Sequence, residues 1–225
     1  MAEVVLTDIE GTIADIDFVR MVLFPYAREH LPAFVREHAK QPEVAAQLDA
    51  TAAEAGLERD DLGALINQLL TWIDQDIKAT PLKSLQGMVW KTGYANGDYT
   101  GHLYPDALDC LEVWHQAGIP LYVYSSGSIQ AQKLYFQHSD YGDIRDLFSG
   151  FFDTTTGSKR EAESYRRIAA SIGSAPDRIL FLSDIIDELD AAASAGMETA
   201  QIRRPGNTAA GSHPAYASLA EVPCP

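Results

Sequence analysis

The chain has 225 residues, enough for one large domain or a core with a smaller appendage, and its 46% hydrophobic content marks a globular protein, not a disordered one. With 17 Lys and Arg against 32 Asp and Glu, the net charge of -15 argues against nucleic acid or an anionic membrane as partner, since both need clustered basic charge. Two cysteines outside any CxxC pair argue against a disulfide framework or zinc knuckle and for a reducing cytoplasm; there is no signal-peptide pattern at MAEVVLTDIE and no apolar run of the ~18 residues a membrane span needs.

Val4, Val5 and Leu6 form an apolar, β-branched run that predicts a buried first strand. It gives way to Asp8, Glu10 and Gly11, a glycine suited to a sharp turn. Strand signal then fades. Phe18 to His38 is helical in spacing, with Pro25 and Pro32 expected to kink or divide it. Pro42 to Ala55 reads as a helix with Pro near its start. Leu62, Leu65, Ile66, Leu69, Leu70, Ile73 and Ile77 mark an amphipathic stripe, and Leu82 to Tyr94 is helical again. Residues 15–100 therefore read as a helical insertion, a cap, between the first strand and the remainder, with 1–14 and 101–225 forming the core. No internal repeat or low-complexity segment is evident.

From Pro105 helices and strands alternate. Helices are expected at Pro105–Ala117, Ser128–His138, Glu161–Ile172 and Asp187–Ala195, and strands at Ile119–Tyr124, Phe151–Asp153, Arg178–Leu182 and Glu198–Ile202. Such alternation predicts an α/β fold with a parallel sheet covered on both faces. The tail with Pro205, Pro214, Pro223 and Pro225 is expected to be irregular.

The chemistry gathers at the strand ends, where open parallel sheets bind ligands. Asp8 and Glu10 follow the first strand. Ser125, Ser126 and Gly127 follow LYVY and could hold a phosphate oxygen, while Ser128 reads as an ordinary helix cap. Lys159 follows FFDTTTGS and is either a surface lysine or a partner for an anion shared with Asp8. Ser183 and Asp184 follow RILFL; Asp184 either caps the next helix or lies beside Asp8; Asp190 reads as part of a solvated acidic face, whereas Asp187 and Glu188 are left open between that face and a role at the site, Asp187 as an outer partner of a metal. Two carboxylates held close need a proton or cation between them, and Mg²⁺ takes one or two carboxylates plus water and phosphate. Jointly, carboxylates, hydroxyls, a lysine and more carboxylate describe a phosphoryl-transfer site. The histidines lack metal-ligand spacing, and no GxxxxGK[ST] or GxGxxG occurs.

DIEGT at Asp8–Thr12, SSG at Ser125–Gly127, Lys159 and SD at Ser183–Asp184 resemble the four motifs of the haloacid dehalogenase (HAD) superfamily. The segments VVLTDIEGT, LFPYAREHL, LKSLQGMVW, VYSSGSIQAQKLYF, FFDTTTGSKREAESYRRIA and ILFLSD look like the enolase-phosphatase (acireductone synthase) family of methionine salvage, over nearly the whole chain. That resemblance implies a Rossmann-like HAD core with a helical cap inserted after the first strand. It implies an enzyme with one Mg²⁺ per subunit, acting on a small phosphorylated substrate, 2,3-diketo-5-methylthiopentyl-1-phosphate, which is enolised and then dephosphorylated; the lack of a coiled-coil or repeated apolar patch favours a monomer, and the cysteine usage a cytoplasmic one. By position, Asp8, Glu10 (through its carbonyl) and Asp184 would bind the metal. Ser125, Ser126, Gly127 and Lys159 would bind the phosphate. Asp8 would form an aspartyl-phosphate, Glu10 would be the acid/base, and Lys159 would assist. Residues around Gln86 to Trp90 are candidates for the enolisation step. Ile13, where relatives often have a second Thr, and the acids after Asp184 depart from the family pattern. The competing readings are another HAD phosphomonoesterase acting on a sugar or metabolite phosphate, a metal-free dehalogenase, and a phosphoacceptor module, against which the helical insertion argues.

Overall fold

A computed structural model describes residues 2–224 apart from Thr208 and Ala210. These residues fall into two compact units, 1–16 with 100–225, and 17–99.

The first unit is built on β1 (Val4–Thr7), whose Val5 and Leu6 are wholly buried. The other strands are β2 (Leu121–Tyr124), β3 (Gly150–Phe152), β4 (Ile179–Ser183), β5 (Glu198–Ile202) and β6 (Ala215–Tyr216). They form one sheet in the order β3-β2-β1-β4-β5-β6, and every pairing is parallel. β1 lies between β2 and β4, with Val5 opposite Leu121 and Thr7 opposite Leu182. The chain turns outward from β1 in both directions, so the strand order reverses there and a crevice opens at the carboxyl ends of β1, β2 and β4. Strands buried on both faces read as continuous apolar runs, as VVL and ILFL do.

β6 is a departure from the irregular tail expected of the last stretch. Gln201 N–H donates to Pro214 O at 2.8 Å and Arg203 N–H to Tyr216 O at 2.8 Å, which sets two residues in register with β5. Two residues that follow a proline are too few to show a period of two, so the strand leaves no trace in the sequence pattern. Pro225, the end of that expected tail, lies outside the described residues.

The helices, in chain order, are the short α1 (Ile16–Phe18), α2 (Phe24–His38), α3 (Pro42–Ala55), α4 (Leu62–Asp74), α5 (Thr80–Asn96), α6 (Pro105–Gln116), α7 (Ile129–Gln137), α8 (Ala162–Ile172) and α9 (Ile186–Ser194). In the first unit Tyr124, Tyr165 and Phe181 form a buried aromatic stack, with Tyr165 edge-on to the other two at 5.5 and 5.0 Å.

The second unit is helical, with a core of Leu31, Leu48, Leu65, Leu69 and Leu85. Pro25 sits in the first turn of α2 and does not break the helical run. A single π-turn, Val19–Leu23, precedes it. Pro32 lies inside α2 without ending it, because Leu31 and Val35 on either side are wholly buried and tertiary packing outweighs the lost hydrogen bond. The stripe on α4 stops short of Ile77, which is 41% exposed beyond the helix end.

Candidate active site

Asp8 is 3% exposed and follows β1 directly; its N–H donates to Leu182 O at 2.9 Å, so β4 sets its position. Lys159 Nζ donates to Asp8 Oδ1 at 2.5 Å and pairs with Glu188 Oε2 at 2.7 Å. The lysine is 7% exposed. Its carbonyl accepts from Tyr165 OH at 2.7 Å, which ties the lysine's backbone to the aromatic core.

Ser125 follows β2 directly, and its hydroxyl donates to Glu10 Oε2 at 3.1 Å while accepting from the Gly127 N–H at 3.2 Å. The loop is braced from below. Gln132 Nε2 donates to Gly127 O at 2.8 Å and Phe152 O at 2.9 Å, and Asp153 accepts from Ile129 N–H at 3.0 Å. Ser126 lies on the same loop and is exposed. Ser128 caps α7 by accepting from Ala131 N–H at 3.2 Å.

Asp184 follows β4 and does not cap α9, whose N-cap is Ile185 without a side-chain bond. Gly11 brings the β1 loop against it. Gly11 has φ +78°, and a Cβ there would stand 2.5 Å from Asp184 Oδ2. Only glycine permits both the left-handed backbone and the close approach.

The electrostatics are those of a crowded anionic pocket. Burial, then the charge of Asp8, pushes the Asp184 carboxyl up to about 7. The same two causes push Glu188 up to about 7 and raise Glu10 above the ordinary carboxylate range. Burial works against the charge of Lys159, but Asp8 and Glu188 outweigh it and hold the ammonium above its ordinary value. Four carboxyls thus share one ammonium, and Asp184 Oδ1 is buried with no hydrogen-bond partner. Like charges held together without enough counter-charge call for a cation. Among the described residues no three His, Cys, Asp or Glu side chains converge as a closed metal cage. An open Mg²⁺ site needs less, one or two carboxylates with water and phosphate completing the shell, and the donors here suit that.

The structure therefore brings Asp8, Glu10, Ser125, Lys159 and Asp184 to one crevice, with Gly127 beside them. Asp187 is elsewhere: its side chain is 64% exposed and faces Arg160 at 3.6 Å. The inner position belongs to Glu188, whose Oε2 also accepts from Ser183 Oγ at 2.9 Å. The sequence left the role of Glu188 open. Asp187 and Glu188 both lie in the first turn of α9, so spacing alone did not separate them.

The haloacid dehalogenase-like hydrolase profile matches residues 2–196. An enolase-phosphatase E1 of Pseudomonas aeruginosa (strain UCBPP-PA14) is 58% identical over 97% of this chain and 96% of its own length. One from Pseudomonas syringae pv. syringae (strain B728a) is 59% identical over 92% and 91%. The chain belongs to the haloacid dehalogenase-like hydrolases, within the enolase-phosphatase E1 group. Among solved structures, the UTR4 protein of Saccharomyces cerevisiae superposes with a TM-score of 0.84 at 33% identity, covering 99% of this chain and 100% of that one. As a member of the enolase-phosphatase E1 group of haloacid dehalogenase-like hydrolases, the chain is a phosphatase with a Rossmann-like α/β core. β5, β6 and the residues between them lie beyond the span that the family profile matches.

Proposed function

We propose that this hydrolase is a Mg²⁺-dependent enolase-phosphatase of methionine salvage. It enolises 2,3-diketo-5-methylthiopentyl-1-phosphate and then hydrolyses the phosphate to give the acireductone. The observation that carries the reading is Glu10: a carboxyl two residues after Asp8, with its affinity for a proton raised by burial and by Asp8, and bonded to Ser125. The enolase-phosphatase E1 relatives, similar over nearly the whole chain, support this substrate over other phosphorylated metabolites.

Asp8, Asp184 and the Glu10 carbonyl would hold one Mg²⁺, which when bound supplies positive charge to the phosphate and to an enediolate. Ser125, Ser126, Gly127 and Lys159 bind the phosphate oxygens. We assign the enolisation proton to Glu10, because Gln86 to Trp90 contains no titratable side chain and can take no proton. Glutamate also reaches one methylene further than aspartate. The Asp8 carboxylate then attacks phosphorus, and the bond to the enol oxygen breaks as Glu10 protonates it. Glu10, now ionised, takes a proton from the water that attacks the aspartyl-phosphate, releasing inorganic phosphate and restoring Asp8, and passes that proton to the remaining enediolate oxygen, which completes the acireductone and returns Glu10 to its ionised form. Lys159, anchored by Glu188, offsets the charge on Asp8 and the phosphoryl group throughout. We place the enzyme in the cytoplasm as a monomer, a setting that suits the free thiols of Cys110 and Cys224.

Asp8→Asn, assayed on the diketone with saturating Mg²⁺, should release no phosphate yet still raise the ultraviolet absorbance of the enol. Substantial phosphate release would remove Asp8 as nucleophile. A flat absorbance trace would remove Glu10 as an independent enolisation base. Wild-type turnover of a sugar phosphate panel that exceeds turnover of the diketone would overturn the substrate.

A further inference from the structure

The segment RRPGN, residues 203–207, follows β5 and lies beyond the span that the family profile matches. Its side chains converge on the backbone of the two loops that carry Asp8 and Asp184. Asp184 is held at both ends of its own backbone. Its N–H donates to Thr12 Oγ1 at 3.0 Å, and its carbonyl accepts from Asn207 Nδ2 at 3.3 Å and Gln201 Nε2 at 3.4 Å. The Asn207 amide is itself oriented, since its Oδ1 accepts from Ala209 N–H at 3.0 Å.

Thr12 is fixed from the same side. Arg204 Nε donates to Thr12 O at 2.9 Å, while its Nη1 donates to both oxygens of Asp106 at 2.9 Å. The guanidinium lies 4.0 Å from the centre of the Tyr104 ring. Asp106 Oδ2 also accepts from Leu219 N–H at 2.8 Å, so the tail is fastened to the same pair. Arg204 is 7% exposed, and its Nη2 has no hydrogen-bond partner. A buried ion pair with one donor unsatisfied is a poor source of stability, because desolvation cancels most of the attraction. Its geometric effect is clear by contrast: it holds the Thr12 peptide where the hydroxyl can receive Asp184.

We propose that Asn207 and Arg204 are positioning residues for the cation site, holding the Asp184 backbone so that its carboxylate stays beside Asp8. This rests on the reading of Asp184 as a Mg²⁺ ligand. Carboxylates that repel each other would drift apart if the loops were free, and a cation would then have to reassemble its own site on binding. Contacts that orient a ligand in this way typically change metal affinity by about 10–100-fold when removed.

The test is Mg²⁺ binding by calorimetry to EDTA-stripped full-length protein, with Mn²⁺ paramagnetic resonance as a second readout and thermal melting in EDTA as a control. Asn207→Ala should weaken Mg²⁺ about tenfold, melt in EDTA like the wild type, and keep its KM for substrate within about twofold at saturating Mg²⁺. Arg204→Lys should weaken it at least as much; should that variant fail to fold, Asn207→Ala decides alone. Wild-type affinity in Asn207→Ala overturns the proposal, as does a loss of affinity matched by a fall in melting temperature without metal. Asp184→Ala separates the two levels. If it binds Mg²⁺ normally, the metal-site reading fails; if it loses Mg²⁺ while Asn207→Ala does not, only the positioning role fails.

Discussion

Gly11 does two jobs at one position: it takes a left-handed φ of +78° and leaves room for the Asp184 carboxylate. Gly11→Ala should cost about 1–3 kcal/mol of stability, read as a lower urea midpoint with an unchanged slope, and an unchanged midpoint would mean that the loop relaxes at no cost. The pattern D-x-E-G made this turn legible, because an apolar strand that runs into two acids and a glycine can neither stay buried nor stay extended. Glu188 was not legible in the same way. In DIIDELD the acids Asp187, Glu188 and Asp190 look alike by composition. What separates them is helical phase after Ile185, which sends Asp187 to Arg160, Asp190 to His213 and Glu188 to Lys159. Phase near a helix start depends on where the first turn begins, and that is where sequence reading is weakest.

At the scale of elements, the strands announced themselves wherever burial on both faces demanded unbroken apolar runs, and β6 did not, because it pairs only two residues with β5. Pro32 shows the opposite failure, a strong local signal overruled by packing. The helix passes through it because Leu31 and Val35 are buried in the helical unit. A proline there removes one helical hydrogen bond and strains the preceding turn. Pro32→Ala should therefore raise stability by about 1–2 kcal/mol, the regained helix propensity less the added freedom of the unfolded chain, and a denaturation midpoint at or below the wild type would count against it. The four strand-end loops were each weak signals when read singly; their joint meaning depended on β1 and β4 being neighbours, a fact of topology.

At the scale of the molecule, the carboxyl cluster couples folding to pH. Asp184 and Glu188 titrate near 7 in the folded chain, against ordinary values of 3.8 and 4.5. Between about pH 4 and 7 the folded state thus binds more protons than the unfolded one, and stability must fall as pH rises through that window. Metal-free protein should melt at a lower temperature at pH 7.5 than at pH 5.5, and saturating Mg²⁺ should flatten or reverse the difference. A metal-free melting temperature that climbs from pH 5.5 to 7.5 would contradict this crowding of carboxyls around one ammonium. The sheet carries a further consequence, one of timing on the ribosome. β1 is the centre of the sheet, yet β4 follows it by about 170 residues. At roughly 5–20 residues per second, a nascent apolar strand waits on the order of 10–35 s for that neighbour. The helical unit, contiguous from 17 to 99, is complete long before then. Synthesis therefore passes through a stage with one unit finished and the strand that will anchor the other still without its lateral partners, which makes VVLT the segment that chaperones have most reason to hold.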